Sequence, residues 1–208
     1  CEENFNNYFS SSDKNFKSTD ELHRYGIRTT EIGLNWAKAD SRFDLSKEVN
    51  EPNKVGYVVE IDPLNPNSTP KKHTALGRFK HENAELVISK DGKIIVYMGD
   101  DERGEYLYKY VSNESINEVK DKSTLLSNGN LYVAKFNDNF TGEWLLLDTQ
   151  TTGLSSKAEV CIFTRLAASK VGATTMDRPE WIASNPKKNE VCCCLLYTSP
   201  SPRDPRES

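Results

Sequence analysis

The chain has 208 residues, of which 36% are hydrophobic and 28% charged, with 27 Lys+Arg against 31 Asp+Glu and a formal net charge of -4. This length fits one domain or a piece of one, since domains usually span roughly 100–200 residues. No window approaches the ~18 consecutive apolar residues of a membrane helix. The chain also lacks the basic excess that favours binding to a nucleic-acid backbone. We therefore predict a globular protein with no membrane span and no nucleic-acid partner.

The N-terminal part of the chain is predicted to be mostly irregular. It is rich in Asn, Ser and Asp, but apolar residues recur at helical spacing within residues 30–39, so we expect a short helix there. Residues 55–61 form a β-branched run that ends at Asp62 and Pro63, which predicts a buried strand.

Short strands dominate the middle of the chain. The strand candidates are residues 74–79, 84–88, 94–98, 105–111, 130–137 and 143–147. Asp91 and Gly92 predict a two-residue hairpin turn between the second and third candidates. Apolar residues at helical spacing in residues 158–168 predict one helix.

Two architectures fit this strand pattern. Four antiparallel strands in roughly 40–50 residues are typical of a β-propeller blade. Short strands with frequent turns also fit a β-sandwich. Periodicity alone does not decide between them, and in both cases the fold class is mainly all-β with a few short helices.

The C-terminal residues 194–208 are predicted to lie outside the fold. They resemble the translation of a transposon-type sequencing adapter, so we expect residues 1–193 to form the domain and residues 194–208 to be a disordered, non-native tail. The chain begins at Cys1 without a recognisable export signal, and we expect it to be part of a longer protein.

The five cysteines predict neither a disulfide framework nor a zinc site. Three of them are the run Cys192, Cys193 and Cys194, and three consecutive thiols do not converge easily on one tetrahedral ion. Cys1 and Cys161 show no CxxC spacing.

Four acidic clusters are the candidate functional features, since GxGxxG, Walker, GxSxG and HExxH motifs are absent from the sequence. Carboxylate oxygens suit Ca²⁺, Mg²⁺ or Mn²⁺. Each cluster also has an ordinary interpretation: Asp100 and Asp101 as solvated turn residues, His81 beside Glu82 as a surface pair, Trp181 as a core residue. The clusters are Cys1-Glu2-Glu3-Asn4, His81-Glu82, Gly99-Asp100-Asp101-Glu102 and Asp177-Arg178-Pro179-Glu180-Trp181.

Read together, these clusters resemble a known family, the PhoX-type alkaline phosphatases. Five strings occur in the family's order, and the resemblance extends to about residue 191. They are CEEN at 1–4, GYVVEIDP at 56–63, TALGRFKHE at 74–82, YMGDDE at 97–102 and GATTMDRPEW at 172–181. The resemblance implies an incomplete β-propeller from an exported enzyme, periplasmic or secreted, that hydrolyses small-molecule phosphomonoesters with Ca²⁺ and Fe³⁺. We expect a monomer.

The resemblance also implies roles for individual residues. Cys1 would be an iron ligand, Glu82 and Glu180 would be metal-bridging carboxylates, and Arg178 would hold the phosphate. Glu2, Asp100 and Asp101 lie in the matching strings and are further candidates for metal contact. More ligands are expected beyond the end of the chain, so the chain by itself is expected to be inactive.

Two other functions stay open on the sequence. A non-catalytic propeller could bind ligands at its face without a complete metal cluster, and metal analysis would identify it by a lack of iron. Another calcium-dependent propeller hydrolase, such as a lactonase or phosphotriesterase, would be identified by comparing monoester, triester and lactone turnover.

Overall fold

A computed structural model describes residues 1–196, which form mainly β-structure with a few short helices. The α-helices are α1 (Asp20–Arg24), α2 (Trp36–Ala39), α3 (Thr149–Thr152), α4 (Lys157–Ile162) and α5 (Thr164–Lys170). The strands are β1 (Val59–Glu60), β2 (Lys71–Lys72), β3 (His81–Ile88), β4 (Lys93–Asp100), β5 (Arg103–Glu105), β6 (Leu107–Ser115), β7 (Gly129–Phe136), β8 (Gly142–Leu146), β9 (Met176–Asp177), β10 (Pro179–Ser184) and β11 (Val191–Leu195). Among the described residues, no helix is long and apolar enough to cross a membrane.

The main sheet is antiparallel and has five strands in the order β3-β4-β6-β7-β8. Alternate residues of β4 and β6 are buried, as expected for strands with one face on a core. These residues pack with Val160 of α4 and with Ala167 and Ala168 of α5. The core therefore lies between the sheet and the two C-terminal helices, and burial of apolar surface there stabilises the fold.

A hairpin joins β3 to β4 at the predicted place. The loop has three residues, because Ser89 still pairs with Lys93 and Gly92 N donates to Ser89 O at 2.9 Å. Gly92 has a φ of 80°, which glycine adopts without steric cost. The expected hairpin is confirmed, but its loop is one residue longer than predicted.

The strand expected at residues 74–79 is wrong. Residues Thr74–Leu76 form a 3₁₀-helix, and Gly77 follows with a φ of 85°. A Cβ at Gly77 would lie 2.9 Å from the Leu131 side chain and 3.0 Å from that of Thr164. The chain turns here because it packs closely against β7 and α5, which local periodicity does not reveal.

The helix expected at residues 158–168 is divided in two. Phe163 has a φ of -107° and a ψ of 44°, so it ends α4 and precedes α5. At the break between α4 and α5, Ile162 O accepts from the Tyr25 hydroxyl and from Arg78 Nη1, so tertiary contacts override the amphipathic pattern.

The helix expected within residues 30–39 is also shorter, since only the four residues of α2 are helical. For α2 the cause is local, because Gly33 and Asn35 have positive φ values of 110° and 57°, which are not helical.

Two other strand expectations need correction. Within residues 55–61, only β1 pairs, with β2, and Ile61 is 68% exposed. Residues 74–112 do not form a separate four-stranded unit, since β5 pairs with β9 outside the main sheet and the later strands β7 and β8 join that sheet.

Strand pairing extends two residues into the segment expected to be a tail. β10 and β11 are antiparallel, with Ile182 opposite Cys193 and Pro179 opposite Leu195. Cys194 and Leu195 therefore belong to β11, while residues 197–208 lie outside the described part of the chain. All five cysteines are free.

Candidate metal centre

A β-bulge at the start of β3 directs Glu82 toward the edge of the main sheet. The register between β3 and β4 shifts there, so that Glu82 and Asn83 together lie opposite Gly99 alone. Bulges of this kind re-aim a side chain and are common next to active sites.

Glu2 holds the N-terminal segment beside β3. Its backbone N donates to Tyr57 O at 3.0 Å, and its O accepts from His81 N at 3.3 Å. Its carboxylate accepts from Tyr57 N at 3.0 Å and pairs with Lys72 Nζ at 2.8 Å. Both oxygens of Glu2 therefore contact other groups, and the adjacent Glu3 is placed next to β3.

Three carboxylates converge at this edge, from Glu3, Glu82 and Asp101. Their candidate ligand oxygens all lie within 4.8 Å of one another. Burial, followed by the neighbouring Glu82 carboxylate, raises the pKa of Glu3 to about 6. Like charges this close disfavour ionisation of one another, and a cation between them removes that penalty. The donors are all hard oxygens, so the residues present fit Ca²⁺.

Arg178 lies beside these carboxylates, between β9 and β10. Its Nε and Nη2 donate to the two oxygens of Asp101, each at 2.9 Å. Nη2 also lies 3.3 Å from Glu180 Oε1. The hydrogen bond to Asp101 raises the pKa of the Arg178 guanidinium. The side chain is 33% exposed, so one side of the guanidinium faces solvent.

The backbone at Arg178 is in an uncommon conformation. Its φ is 55°, in the left-handed region that few non-glycine residues adopt. Residues held in such conformations cost free energy and cluster at functional sites. The strain is consistent with a guanidinium whose direction is fixed by Asp101 and Glu180.

Asn83 attaches β10 to β3. Its Nδ2 donates to Ile182 O at 2.8 Å, and its Oδ1 accepts from Ile182 N at 3.1 Å. The buried amide thus replaces a backbone partner and satisfies both polar groups of Ile182.

Gly99 allows β10 to approach β4. A Cβ on Gly99 would lie 2.5 Å from Pro179 O and 2.7 Å from Glu180 O, which no side chain permits. The absence of a side chain at this position therefore sets how close Glu180 lies to the end of β4.

Asp100 and Asp101 point toward different arginines, Arg165 and Arg178 respectively. The two oxygens of Asp100 accept from Arg165 Nε at 2.8 Å and Nη2 at 2.5 Å, and both side chains are buried. Asp100 and Asp101 are buried residues rather than solvated turn residues, which corrects that interpretation.

The structure brings some predicted site residues together and leaves others apart. Glu82, Asp101, Arg178 and Glu180 lie at one edge of the sheet. Glu2 and Asp100 contact other partners, and Cys1 is exposed, two residues before Glu3. Within the described part of the chain, the close carboxylate group contains only Glu3, Glu82 and Asp101.

Two ordinary interpretations of the clusters are wrong. His81 is fully buried rather than at the surface, and its ring stacks on Phe79 with centroids 3.8 Å apart. Burial lowers the pKa of His81 to about 3, so the ring is neutral. Trp181 is 63% exposed and is not a core residue.

Sequence reasoning missed Glu3, Asn83, Gly99 and Arg165. Glu3 stands in the same string as Cys1, so that string carried the only signal for it. The other three act through contacts with residues at least 65 positions away in sequence, as for Arg165 and Asp100, and no local pattern shows such contacts.

Comparisons with known proteins identify the family of the chain. The family model described as alkaline phosphatase PhoX matches residues 1–206. A solved structure, Pseudomonas fluorescens PhoX in complex with vanadate, a transition state analogue, is 48% identical with a TM-score of 0.86. The match covers 93% of this chain and 36% of that chain, so this chain spans about a third of its length. No curated protein sequence matches the chain.

The structural match also decides the fold class. The expected mainly-β architecture with short helices is confirmed, and it corresponds to part of the propeller-like fold of PhoX. With a family match that includes nearly the whole sequence and a similar structure at 48% identity, the chain belongs to the PhoX alkaline phosphatase family.

Proposed function

We propose that this chain is a segment of an alkaline phosphatase that hydrolyses small-molecule phosphomonoesters. The observation that carries the proposal is the arginine next to three converging carboxylates, Arg178 beside Glu3, Glu82 and Asp101. A cation site adjacent to a guanidinium can neutralise the charge of a phosphoryl group from two sides. The family assignment supports the same chemistry.

In this proposal, Glu3, Glu82 and Asp101 would hold Ca²⁺. Glu180 lies against the same arginine and would provide a further carboxylate ligand for the metal ions. Cys1 would provide a thiolate for Fe³⁺, and its exposed position leaves it accessible. When bound, these cations supply Lewis-acid stabilisation of negative charge on the phosphoryl oxygens.

Arg178 would bind and orient the phosphoryl group. A guanidinium presents a planar fork that donates to two oxygens, which a lysine cannot reproduce. Asp101 accepts from Nε and Nη2 and so fixes the plane of the guanidinium, and the phosphoryl group would bind at the other edge, formed by Nη1 and Nη2, with little loss of side-chain freedom.

We also propose an exported enzyme, periplasmic or secreted, that acts as a monomer and has no nucleic-acid partner. The family supports the location. The net charge of -4 supports the absence of a nucleic-acid partner.

The test is the hydrolysis of an aryl phosphate by a full-length protein that contains this chain, supplied with Ca²⁺ and Fe³⁺. We expect Glu180→Gln to lower kcat/KM by at least ~100-fold, the scale of losing one electrostatic group of the site. Glu143→Gln is the matched control, since Glu143 is an exposed residue of β8. Full activity of the Glu180→Gln protein, or no turnover by the unaltered protein, would contradict the proposal.

A further inference from the structure

A buried ion pair lies directly behind the carboxylate cluster. The side chains of Arg165 and Asp100 are 2% and 0% exposed. In a buried pair the cost of desolvation offsets much of the attraction, so net stability is a weak reason for its presence. The pair lies next to the cluster, because Asp100 directly precedes Asp101, and this position indicates a role in placing the cluster residues.

The Asp100 carboxylate joins the end of β4 to the residue that precedes β3. Its Oδ1 accepts from Lys80 N at 3.2 Å, two residues before Glu82. In return, Asp101 N donates to Lys80 O at 3.0 Å. The Asp100 carboxylate and this backbone bond therefore together hold the start of β3 against the end of β4.

Arg165 fixes the direction of the Asp100 carboxylate because it is itself held from several sides. Nη1 donates to Arg24 O at 3.2 Å, and the backbone N donates to the Tyr25 hydroxyl at 3.3 Å. The Glu105 carboxylate lies 3.7 Å from Nε, and Arg24 binds the same carboxylate. Helix α5 thus presents a guanidinium that cannot rotate freely.

We propose, on the basis of the proposed function, that Arg165 is a positioning residue for the metal site. It does not touch the carboxylate cluster. It orients Asp100, and Asp100 keeps Glu82 and Asp101 at the separation at which both contact one cation. Replacing groups that orient metal ligands typically weakens metal binding about 10- to 100-fold.

The experiment measures Ca²⁺ content per protein by mass spectrometry of the metal, across buffered free Ca²⁺ concentrations, in the full-length protein. The variants are Arg165→Met, Arg165→Lys and the double variant Asp100→Asn/Arg165→Gln. The double variant keeps the net charge and two hydrogen-bonding side chains, so it changes geometry without leaving a buried unpaired carboxylate.

Arg78→Met is the matched control. Arg78 is 1% exposed and donates to backbone carbonyls of Pro52, Val55 and Ile162, so its loss also leaves buried groups unpaired. It makes no hydrogen bond to Asp100 in the described structure. We expect Arg78→Met to lower the melting temperature and leave the half-saturating Ca²⁺ concentration unchanged.

We expect Arg165→Met and the double variant to raise the half-saturating Ca²⁺ concentration about 10- to 100-fold. Arg165→Lys should lose less, because a lysine keeps the charge and one hydrogen bond. A double variant that melts cooperatively with parental Ca²⁺ affinity would overturn the positioning role alone. Equal loss in Arg78→Met would also overturn it. Absence of Ca²⁺ in the unaltered protein would overturn the proposed function and the positioning role together.

Discussion

The pKa values of individual carboxylates in this chain shift in different directions, according to their surroundings. Asp44 is 1% exposed, and its Oδ1 accepts from Ser12 N, Ser46 N and Ser46 Oγ at 3.1, 3.1 and 2.7 Å. Burial opposes ionisation, but these hydrogen bonds outweigh it and lower the pKa of Asp44. At the cluster, burial and then the neighbouring Glu82 carboxylate raise the pKa of Glu3. Hydrogen-bond donors therefore outweigh burial at Asp44, whereas at Glu3 burial and a like charge act in the same direction.

The lowered pKa of Asp44 predicts a loss of stability in acid. Below its ordinary value of 3.8 the unfolded chain binds a proton that the folded chain does not. Stability from Asp44 is therefore complete above that value and is lost as the pH falls toward the folded-state pKa. We expect the free energy of unfolding in urea to fall between pH 7 and pH 3, and to fall by about 1 kcal/mol less in Asp44→Asn than in the parent.

Asp138→Asn serves as the control for Asp44, since Asp138 is exposed. An Asp44→Asn chain with the same acid sensitivity as the parent would contradict the assignment.

At the scale of elements, the site depends on how closely β10 lies against the main sheet. Asn83 binds the backbone of β10, and Ser184 N donates to Glu85 Oε1 at 2.9 Å. Gly99 supplies the space for this contact. These residues are not ligands, but they determine where Arg178 and Glu180 stand.

We expect Gly99→Ala to displace β10 from β4. The new Cβ would meet two backbone oxygens, which cannot move as the end of a flexible side chain would. The overpacking should cost about 1–3 kcal/mol in urea unfolding. In the full-length protein it should also lower phosphatase kcat/KM. Gly142→Ala is the control, because its Cβ would lie 3.2 Å from Lys135 O, a tight contact that a shift of a few tenths of an ångström relieves. Equal stability and activity of the two variants would contradict this account.

The sequence predicted best those elements whose structure depends on residues close together in the chain. The hairpin of β3 and β4 follows from alternating apolar residues and a glycine that accepts a positive φ. The strand expected at residues 74–79 failed because Gly77 turns against Leu131, a contact across more than fifty positions. The sequence also does not predict the bulge at Glu82, because a bulge is defined by the pairing of β3 with β4.

At the scale of the whole molecule, the site is assembled from distant parts of the sequence. Its residues come from the N-terminal segment, from β3, from the position after β4 and from the β9–β10 connection. They are Glu3, Glu82, Asp101 and Arg178. Residue chemistry and the family resemblance indicated three of these four. The distances between these residues and the identity of their partners are known only from the fold. The same holds for Asp100, which is excluded as a ligand because it pairs with Arg165.

We expect the 208-residue chain alone to show no phosphatase turnover. The close group in its described part offers three carboxylates, whereas Ca²⁺ takes roughly six to eight oxygen ligands. The match also covers only 36% of the chain of the similar PhoX structure. Aryl phosphate hydrolysis with added Ca²⁺ and Fe³⁺ checks this, with the full-length protein as positive control. Turnover by the short chain would show that its own ligands suffice.

Because Asp100 and Asp101 point toward different arginines, insertions and deletions near the end of β4 should disrupt both ion pairs. Side chains alternate along a strand, so one inserted or deleted residue near Gly99 would turn each aspartate away from its arginine. The Arg165 guanidinium would then lose its partner, and Arg178 would lose its own. Length changes should therefore not be tolerated in the three residues 99–101. The number of residues at the end of β4 is therefore fixed, because each of the two consecutive aspartates must meet its own arginine.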